Sequence, residues 1–142
     1  MKIEKNVESI KSNEFLKELS FCRNDTNSYL RKLLPQENNE ILYDAINYAI
    51  FSGGKRFRAF LVIQAAKLFE IPKIRALQAA SAIETTHTYS LVHDDLPSMD
   101  NDDIRRGKPT VHIKWDEATA VLVGDALQAF AYQILSDKKT HP

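Results

Sequence analysis

Apolar residues recur three or four positions apart along nearly the whole chain of 142 residues. This spacing places them on one face of a helix, and no valine-rich alternating run with hairpin turns interrupts it. Glycine and proline break the pattern, because glycine ends helices readily and proline lacks the backbone N–H that a helix needs. The pattern therefore predicts an all-α protein with five helices, over residues 13–34, 37–52, 55–70, 72–96 and 116–136.

Two of these helices carry features that set expectations for the fold. The first contains a run of weak helix formers, Asn24 to Ser28, which could fray or break its middle. The helix over 116–136 is apolar on nearly every side, so it should lie in the middle of the fold. Residues 98–114 are polar and are predicted to form a loop.

Charge and cysteine content exclude several classes of protein. The chain has 19 basic and 19 acidic residues, without a basic stripe, so nothing in its charge supports a nucleic-acid partner. Cys22 is the only cysteine, which excludes a disulfide framework and a thiolate metal cluster. The amino terminus lacks the apolar core of a signal peptide, and no window approaches the roughly 20 apolar residues of a membrane span. The expectation is a soluble, cytoplasmic protein of one domain.

An acidic run inside the fourth predicted helix and the following loop is the strongest indication of chemistry. Five aspartates fall within ten residues, and three basic residues follow: Asp94, Asp95, Asp100, Asp102, Asp103, then Arg105, Arg106 and Lys108. The acids begin inside an apolar pattern, so their charge costs folding free energy unless a cation neutralises it. Carboxylates without thiolates suit Mg²⁺, which takes the rest of its shell from water and phosphates. The basic residues could bind the same phosphates, so the run predicts a diphosphate site.

A second basic run, Gly53-Gly54-Lys55-Arg56-Phe57-Arg58, separates two predicted helices. The glycines end one helix, and the next begins with basic side chains and free backbone N–H groups, which favour an anion. A phosphate-loop nucleotide site is excluded, because Ala49 and Arg56 stand where that motif requires glycine and a hydroxyl residue.

Each run also has a simpler interpretation. The acidic run alone is compatible with a solvated charged loop, and the glycine run with a helix cap followed by exposed bases. The EF-hand spacing is absent, since the acids do not alternate ahead of a glycine. His93 is interpreted as a helix histidine bonded to a neighbour rather than a metal ligand, and Trp115 as a packing residue at a helix start. His112 receives no role.

The segment HDDLPSMDNDDIRRGKPT resembles the first aspartate-rich motif of trans-isoprenyl diphosphate synthases, the polyprenyl synthetase family. The glycine run is similar to the same family's G-G-K-R-x-R motif, although many relatives have proline at the position of Ala59. The resemblance covers roughly residues 13–136 and implies an isoprenoid-synthase-type helical bundle. Family members are about twice as long, and their second aspartate-rich motif has no counterpart here. Residues 1–142 are therefore interpreted as the amino-terminal portion of a polyprenyl synthetase domain.

The resemblance also implies roles for individual residues. The catalytic acids would be Asp94, Asp95 and Asp100, of which Asp94 and Asp100 match Mg²⁺ ligands. Contacts to isopentenyl diphosphate match Lys55, Arg58, His87 and Arg106. Arg105 matches a contact to the allylic diphosphate. Tyr89 and Ser90 match positions that limit product length and resemble those of bacterial farnesyl diphosphate synthases, an interpretation compatible with Tyr89 as a core residue with a bonded hydroxyl.

By this resemblance the reaction is a Mg²⁺-dependent condensation of an allylic diphosphate, dimethylallyl or geranyl, with isopentenyl diphosphate to give farnesyl diphosphate. The resemblance further implies a homodimer in the complete protein. One alternative is a non-catalytic truncated fragment that binds diphosphate or a partner half. Another is a helical metal-binding module without prenyl chemistry, which leaves Lys55 and Arg58 unexplained.

Overall fold

The structure is a computed structural model that describes residues 2–34 and 40–137, with side chains from residue 13 onward. Its elements, in chain order, are α1 (Lys2–Leu33), α2 (Ile41–Phe51), α3 (Phe57–Leu68), α4 (Lys73–Asp94), β1 (Ile104–Arg105), β2 (Lys108–Pro109), α5 (Val111–Lys114) and α6 (Glu117–Ser136). The two short strands pair antiparallel. The predicted all-α class is confirmed.

Helix α4 lies at the centre of the described fold and has a different neighbour on each side. It packs most extensively against α6, and its other side faces α3 and α1. Two apolar clusters fill these contacts, one among α2, α4 and α6, the other among α1, α3 and the start of α4. Small residues such as Ala80 and Ala120, both fully buried, permit the close approach of the helices. The carboxyl end of α4 is held in the first cluster through Val92, and its amino-terminal half in the second through Ala76 and Ala80.

Helix α1 is continuous, so the expected break at Asn24–Ser28 is wrong. The Thr26 hydroxyl is fully buried and donates to the Cys22 carbonyl at 2.7 Å. The Asn27 amide oxygen accepts a hydrogen bond of 2.9 Å from Arg56 Nε. Tertiary contacts thus outweigh the low intrinsic helix propensity of this run.

The predicted helix boundaries shift where the backbone adopts positive φ. The second helix begins at Ile41, and the predicted start at 37 lies outside the described residues. The third begins at Phe57 rather than Lys55, because Gly53, Gly54 and Arg56 have φ values of 114°, 116° and 54°, which no helix can contain. The fourth ends at Asp94, two residues earlier than expected.

Residues 98–114 are more ordered than the predicted loop. They contain the β1–β2 hairpin, whose two-residue turn, Arg106-Gly107, has φ values of 55° and 75°. Two successive positive φ values match the twist of a tight antiparallel hairpin. The one-turn helix α5 follows, so describing the whole segment as a loop was wrong.

Helix α6 is only partly inside the described fold, which corrects the expectation that it lies in the middle. One face is buried, whereas Val121, Leu122 and Tyr132 are 41%, 56% and 68% exposed. Among the described helices, α6 is the one long and apolar enough to cross a membrane by length and composition. The statement that no window approaches a membrane span therefore does not hold for α6, although its buried face packs against α4 as a core helix does.

Candidate active site

The β1–β2 hairpin brings the two charged runs of the sequence together. Its consecutive arginines point to different ends of the site. Arg105 binds carboxylates at the end of α4, and Arg106 donates to the carbonyl of Gly53 in the turn before α3. The hairpin therefore links the acidic run to the glycine run.

At the acidic end, Asp95 is already paired. Its carboxylate is buried and accepts hydrogen bonds of 2.8 and 2.9 Å from Arg105 Nε, with Arg105 Nη2 at 2.6 Å. Arg105 Nη2 also lies 3.4 Å from Asp102. The hydrogen bond with Asp95 is the main reason that the pKa of Arg105 lies above its usual value. Asp95 therefore supports the hairpin through Arg105.

The turn after α4 brings the backbones of Asp94 and Asp100 together. The Asp100 N–H donates to the Asp94 carbonyl at 2.8 Å, and the Asn101 N–H donates to the Leu96 carbonyl at 3.1 Å. Asp94 is half-buried and Asp100 is exposed, so both residues border solvent. The charge of Asp94 also contributes to the raised pKa of Arg105, which places it near that guanidinium.

This donor set fits Mg²⁺ better than a metal held by protein alone. Within residues 13–34 and 40–137, no group of three or more His, Cys, Asp or Glu side chains could hold a metal ion. With Asp95 paired to Arg105, Asp94 and Asp100 offer two carboxylates in one turn. Mg²⁺ is commonly bound by one or two carboxylates, with waters and substrate phosphates completing its shell.

The glycine turn has the conformation that its sequence requires. Gly54 has φ 116°, and a Cβ there would lie 2.8 Å from Arg106 Nη1. A side chain at this position would collide with the guanidinium as well as strain the backbone. Gly54 therefore allows Arg106 to approach the turn.

Arg56, in contrast to its basic neighbours, is buried and 4% exposed. Its guanidinium lies 3.4 Å from Glu84 Oε2, and the other Glu84 oxygen accepts a 3.1 Å hydrogen bond from the Ala59 N–H. Burial lowers the pKa of Arg56 and Glu84 raises it, burial being the larger effect. Proline, which many relatives have at this position, has no backbone N–H, so this hydrogen bond to Glu84 requires a residue such as Ala59.

His87 lies one turn after Glu84 on α4, among cations. Its pKa is lowered, chiefly by burial, then by Arg58, with smaller contributions from Arg106 and Arg56 that Glu84 partly offsets. Arg58 and Arg106, two other predicted isopentenyl diphosphate contacts, therefore lie close enough to act on the His87 imidazole. Such a neutral imidazole beside guanidinium groups favours an anionic ligand.

The fourth predicted contact, Lys55, faces a different groove. Lys55 is exposed and lines this groove with Arg23 and Phe57. Arg105 and Arg106 line a separate cavity between α2, α4 and the hairpin. Arg106 contacts Gly53 and Lys55 directly follows Gly54, so the predicted contacts lie around the glycine turn rather than in a single cleft.

The residues predicted to limit product length lie at the carboxyl half of α4. Tyr89 packs against the cluster among α2, α4 and α6. The centroids of the Tyr89 and His93 rings lie 5.4 Å apart in a T-shaped arrangement. Ser90 Oγ donates to the His87 carbonyl at 2.9 Å.

His93 has the bonded neighbour that was expected of it, and Trp115 packs near the start of a helix as expected. The His93 ring lies 3.1 Å from the Val121 carbonyl on α6, within hydrogen-bond distance. It also occupies the space where a Cβ on Gly124 would lie. Trp115 precedes α6, and the centroids of its ring and the Tyr48 ring lie 5.2 Å apart in a T-shaped arrangement. His112 is buried, and its Nδ1 lies 3.2 Å from the Thr110 hydroxyl oxygen.

Sequence reasoning missed three residues that support the site. Glu84 and Asn27 bind Arg56, and the Tyr48 hydroxyl donates to the Pro109 carbonyl of the hairpin at 2.8 Å. The sequence did contain a signal for Glu84, because an acid within the apolar pattern of a helix is rarely buried without a basic partner. Tyr48 and Asn27 gave none, because their partners are distant in sequence.

Comparisons with known proteins agree on one family. The polyprenyl synthetase family model matches residues 39–141. The chain is 52% identical to the farnesyl diphosphate synthase of Haemophilus influenzae, over 71% of this chain and 34% of that protein. It is 43% identical to the farnesyl diphosphate synthase of Escherichia coli, over 87% of this chain and 42% of that protein. The solved structure of a geranyltransferase from Legionella pneumophila superimposes with a TM-score of 0.81 and 45% identity, covering 87% of this chain and 45% of that one.

The chain thus spans between about a third and a half of the length of these relatives. The family match covers most of the chain and includes both charged runs that meet at the hairpin. These findings confirm the resemblance drawn from the two motifs, and the chain belongs to the polyprenyl synthetase family.

Proposed function

We propose that this chain is the amino-terminal half of a prenyltransferase that joins an allylic diphosphate to isopentenyl diphosphate and makes farnesyl diphosphate. The names of two relatives, both farnesyl diphosphate synthases, support this choice of product. The observation that carries the proposal is the hairpin, whose adjacent arginines contact the acidic end of α4 and the glycine turn. One diphosphate could bind at each end.

In this proposal Asp94 and Asp100 hold Mg²⁺, the metal that the family generally uses. Bound there, the metal would neutralise charge on the leaving diphosphate of the allylic substrate. Arg105, held by Asp95, would contact the same diphosphate. Asp95 serves catalysis in this scheme by orienting that guanidinium, since its own oxygens are occupied.

The basic side of the site would bind the second substrate. Lys55, Arg58, His87 and Arg106 would hold the diphosphate of isopentenyl diphosphate, and the lowered pKa of His87 keeps its imidazole neutral before the anion arrives. The allylic C–O bond breaks, and its electron pair leaves with the diphosphate. The isopentenyl double bond then forms the new C–C bond, and the proton lost from the resulting cation passes to the departing diphosphate.

Tyr89 and Ser90 are proposed to limit product length. They lie five and four residues before Asp94 on α4, and Tyr89 is half-buried against the apolar cluster. In a protein containing both halves of the family fold, Tyr89→Ala should therefore yield products longer than farnesyl diphosphate. Chromatography of the products tests this role, and an unchanged farnesyl product would contradict it. Thr86→Ala, which removes only a hydroxyl bonded to the Ala82 carbonyl on the same helix, is the matched control and should leave product length unchanged.

We further propose that the complete protein is a homodimer in the cytoplasm. The alternative function for this chain alone is non-catalytic binding of a partner half. The exposed apolar residues Val121, Leu122 and Tyr132 on α6 favour it.

One assay distinguishes the two functions. The chain is incubated with dimethylallyl and isopentenyl diphosphates and Mg²⁺, beside a protein that adds the second half of the family fold. Product from the longer protein alone supports the partner-half function for this chain and the prenyltransferase function for the whole. Absence of product from both contradicts the prenyltransferase proposal.

A further inference from the structure

Arg56 is the basic residue of the glycine run to which the proposed function gives no role. Lys55 and Arg58, its neighbours, are exposed, whereas Arg56 is 4% exposed. A buried guanidinium cannot contact a substrate, so its place in the run needs another explanation.

The guanidinium of Arg56 joins three helices. Its Nε donates to Asn27 on α1 at 2.9 Å, and its Nη2 donates to the Ile50 carbonyl on α2. Its Nη1 lies 3.4 Å from Glu84 on α4. The planar fork of arginine can bind acceptors in three directions at once, whereas the ammonium of lysine is a point charge on a flexible chain.

Glu84 extends this connection to a fourth helix. Its second oxygen accepts the N–H of Ala59, in the first turn of α3. Arg56 itself has φ 54°, a left-handed conformation that a residue with a side chain keeps only when its surroundings enforce it. The pair thus fixes the backbone on both sides of Arg56.

We propose that the Arg56–Glu84 pair is a positioning element that holds Lys55 and Arg58 in the geometry that binds the diphosphate of isopentenyl diphosphate. Lys55 directly precedes the fixed residue, and Arg58 directly precedes the anchored N–H of Ala59. The pair touches no substrate and acts through these two side chains. This inference rests on the proposed function, because it assumes that Lys55 and Arg58 bind that substrate.

The test compares Arg56→Lys with wild type by calorimetry, titrating isopentenyl diphosphate and, separately, dimethylallyl diphosphate with Mg²⁺. The variant keeps the charge but loses the three-way fork. Loss of a residue that supports the ligands of a metal site typically weakens affinity by about tenfold to a hundredfold, and we expect a loss of this size for isopentenyl diphosphate. Affinity for dimethylallyl diphosphate should stay unchanged, because Asp94, Asp100 and Arg105 bind it at the other end. Arg75→Lys, the same exchange in the first turn of α4, is the control.

Two results would overturn the inference. One is unchanged affinity of Arg56→Lys for isopentenyl diphosphate. The other is an equal loss of affinity for both diphosphates with a lower melting temperature, which would show a general structural role. If Arg56→Lys does not fold, Asn27→Ala, which removes only one acceptor of the fork, replaces it with the same expected selectivity. Absence of isopentenyl diphosphate binding by wild type contradicts the proposed function itself, and the inference with it.

Discussion

The two ends of the site are each built around an arginine–carboxylate pair, but the pairs differ in burial. At the glycine turn, the Arg56 and Glu84 side chains are 3% and 4% exposed. At the acidic end, Asp95 is 5% exposed, whereas Arg105 is 32% exposed. One pair is closed to solvent, and the other presents its cation to the surface.

This difference separates support from ligand contact. A fully buried pair must satisfy its hydrogen bonds within the protein, since desolvation otherwise exceeds the attraction of the charges. Arg56 does so with acceptors on three helices. Arg105 is partly open, so a diphosphate can reach it while Asp95 holds it. Within each run, burial therefore decides which basic residue supports the fold and which is available to a ligand.

The largest expected effect comes from removing an open carboxylate at the acidic end. In a protein with both halves of the family fold, we expect Asp94→Ala to lower turnover by about a hundredfold to a thousandfold, the usual cost of losing one group that stabilises developing charge. Steady-state rates at saturating Mg²⁺ measure it. Asp103→Ala, an exposed acid of the same run, should stay near wild type. Retained turnover in Asp94→Ala would contradict its role.

A smaller effect is expected when the pair of Asp95 and the partly exposed Arg105 is broken. Asp95→Asn should lower the free energy of unfolding of this chain by about 2 kcal/mol, because hydrogen bonds to a charged group are lost. Urea denaturation measures this change.

The matched control for that substitution is Asp102→Asn. Asp102 is 53% exposed and 3.4 Å from the same arginine. A surface pair of this kind typically contributes about 0.2–1 kcal/mol, so Asp102→Asn should change the free energy of unfolding less than Asp95→Asn does. Equal effects of the two substitutions would show that burial does not distinguish these partners.

The smallest effect concerns proton uptake at the basic end. The pKa of His87 is lowered, so its ring is neutral near pH 7, and a bound diphosphate should raise that pKa toward protonation. Binding of isopentenyl diphosphate should then take up a fraction of a proton. The contribution of His87 to affinity should grow a few-fold as pH falls from about 7.5 to about 6.5.

Calorimetry in buffers of different ionisation enthalpy measures this uptake. His87→Asn should remove it, and the difference between the two proteins isolates the histidine, because the ligand's own protonation is common to both. Identical proton uptake in wild type and His87→Asn would refute the placement of His87 beside the anion.

Much of the fold could be predicted from the sequence, because apolar spacing and helix breakers are local properties. All five expected helices are present, although the first is longer and the boundaries of the others shift by a few residues. The hairpin at 104–109 and the exposed face of α6 were not anticipated. The hairpin depends on Arg105 reaching Asp95 and on Tyr48 reaching Pro109, contacts that no local pattern contains.

The sequence by itself determined the family and the chemistry of the candidate site, because two charged runs at fixed spacing specify which atoms are available to a metal and a diphosphate. Only the tertiary structure decided which of those charged side chains are paired within the protein and which remain available to a ligand. Arg56 and Asp95 look like their neighbours in the sequence, but both are buried and paired. The physical reason is desolvation, which depends on what surrounds a charge in space rather than along the chain.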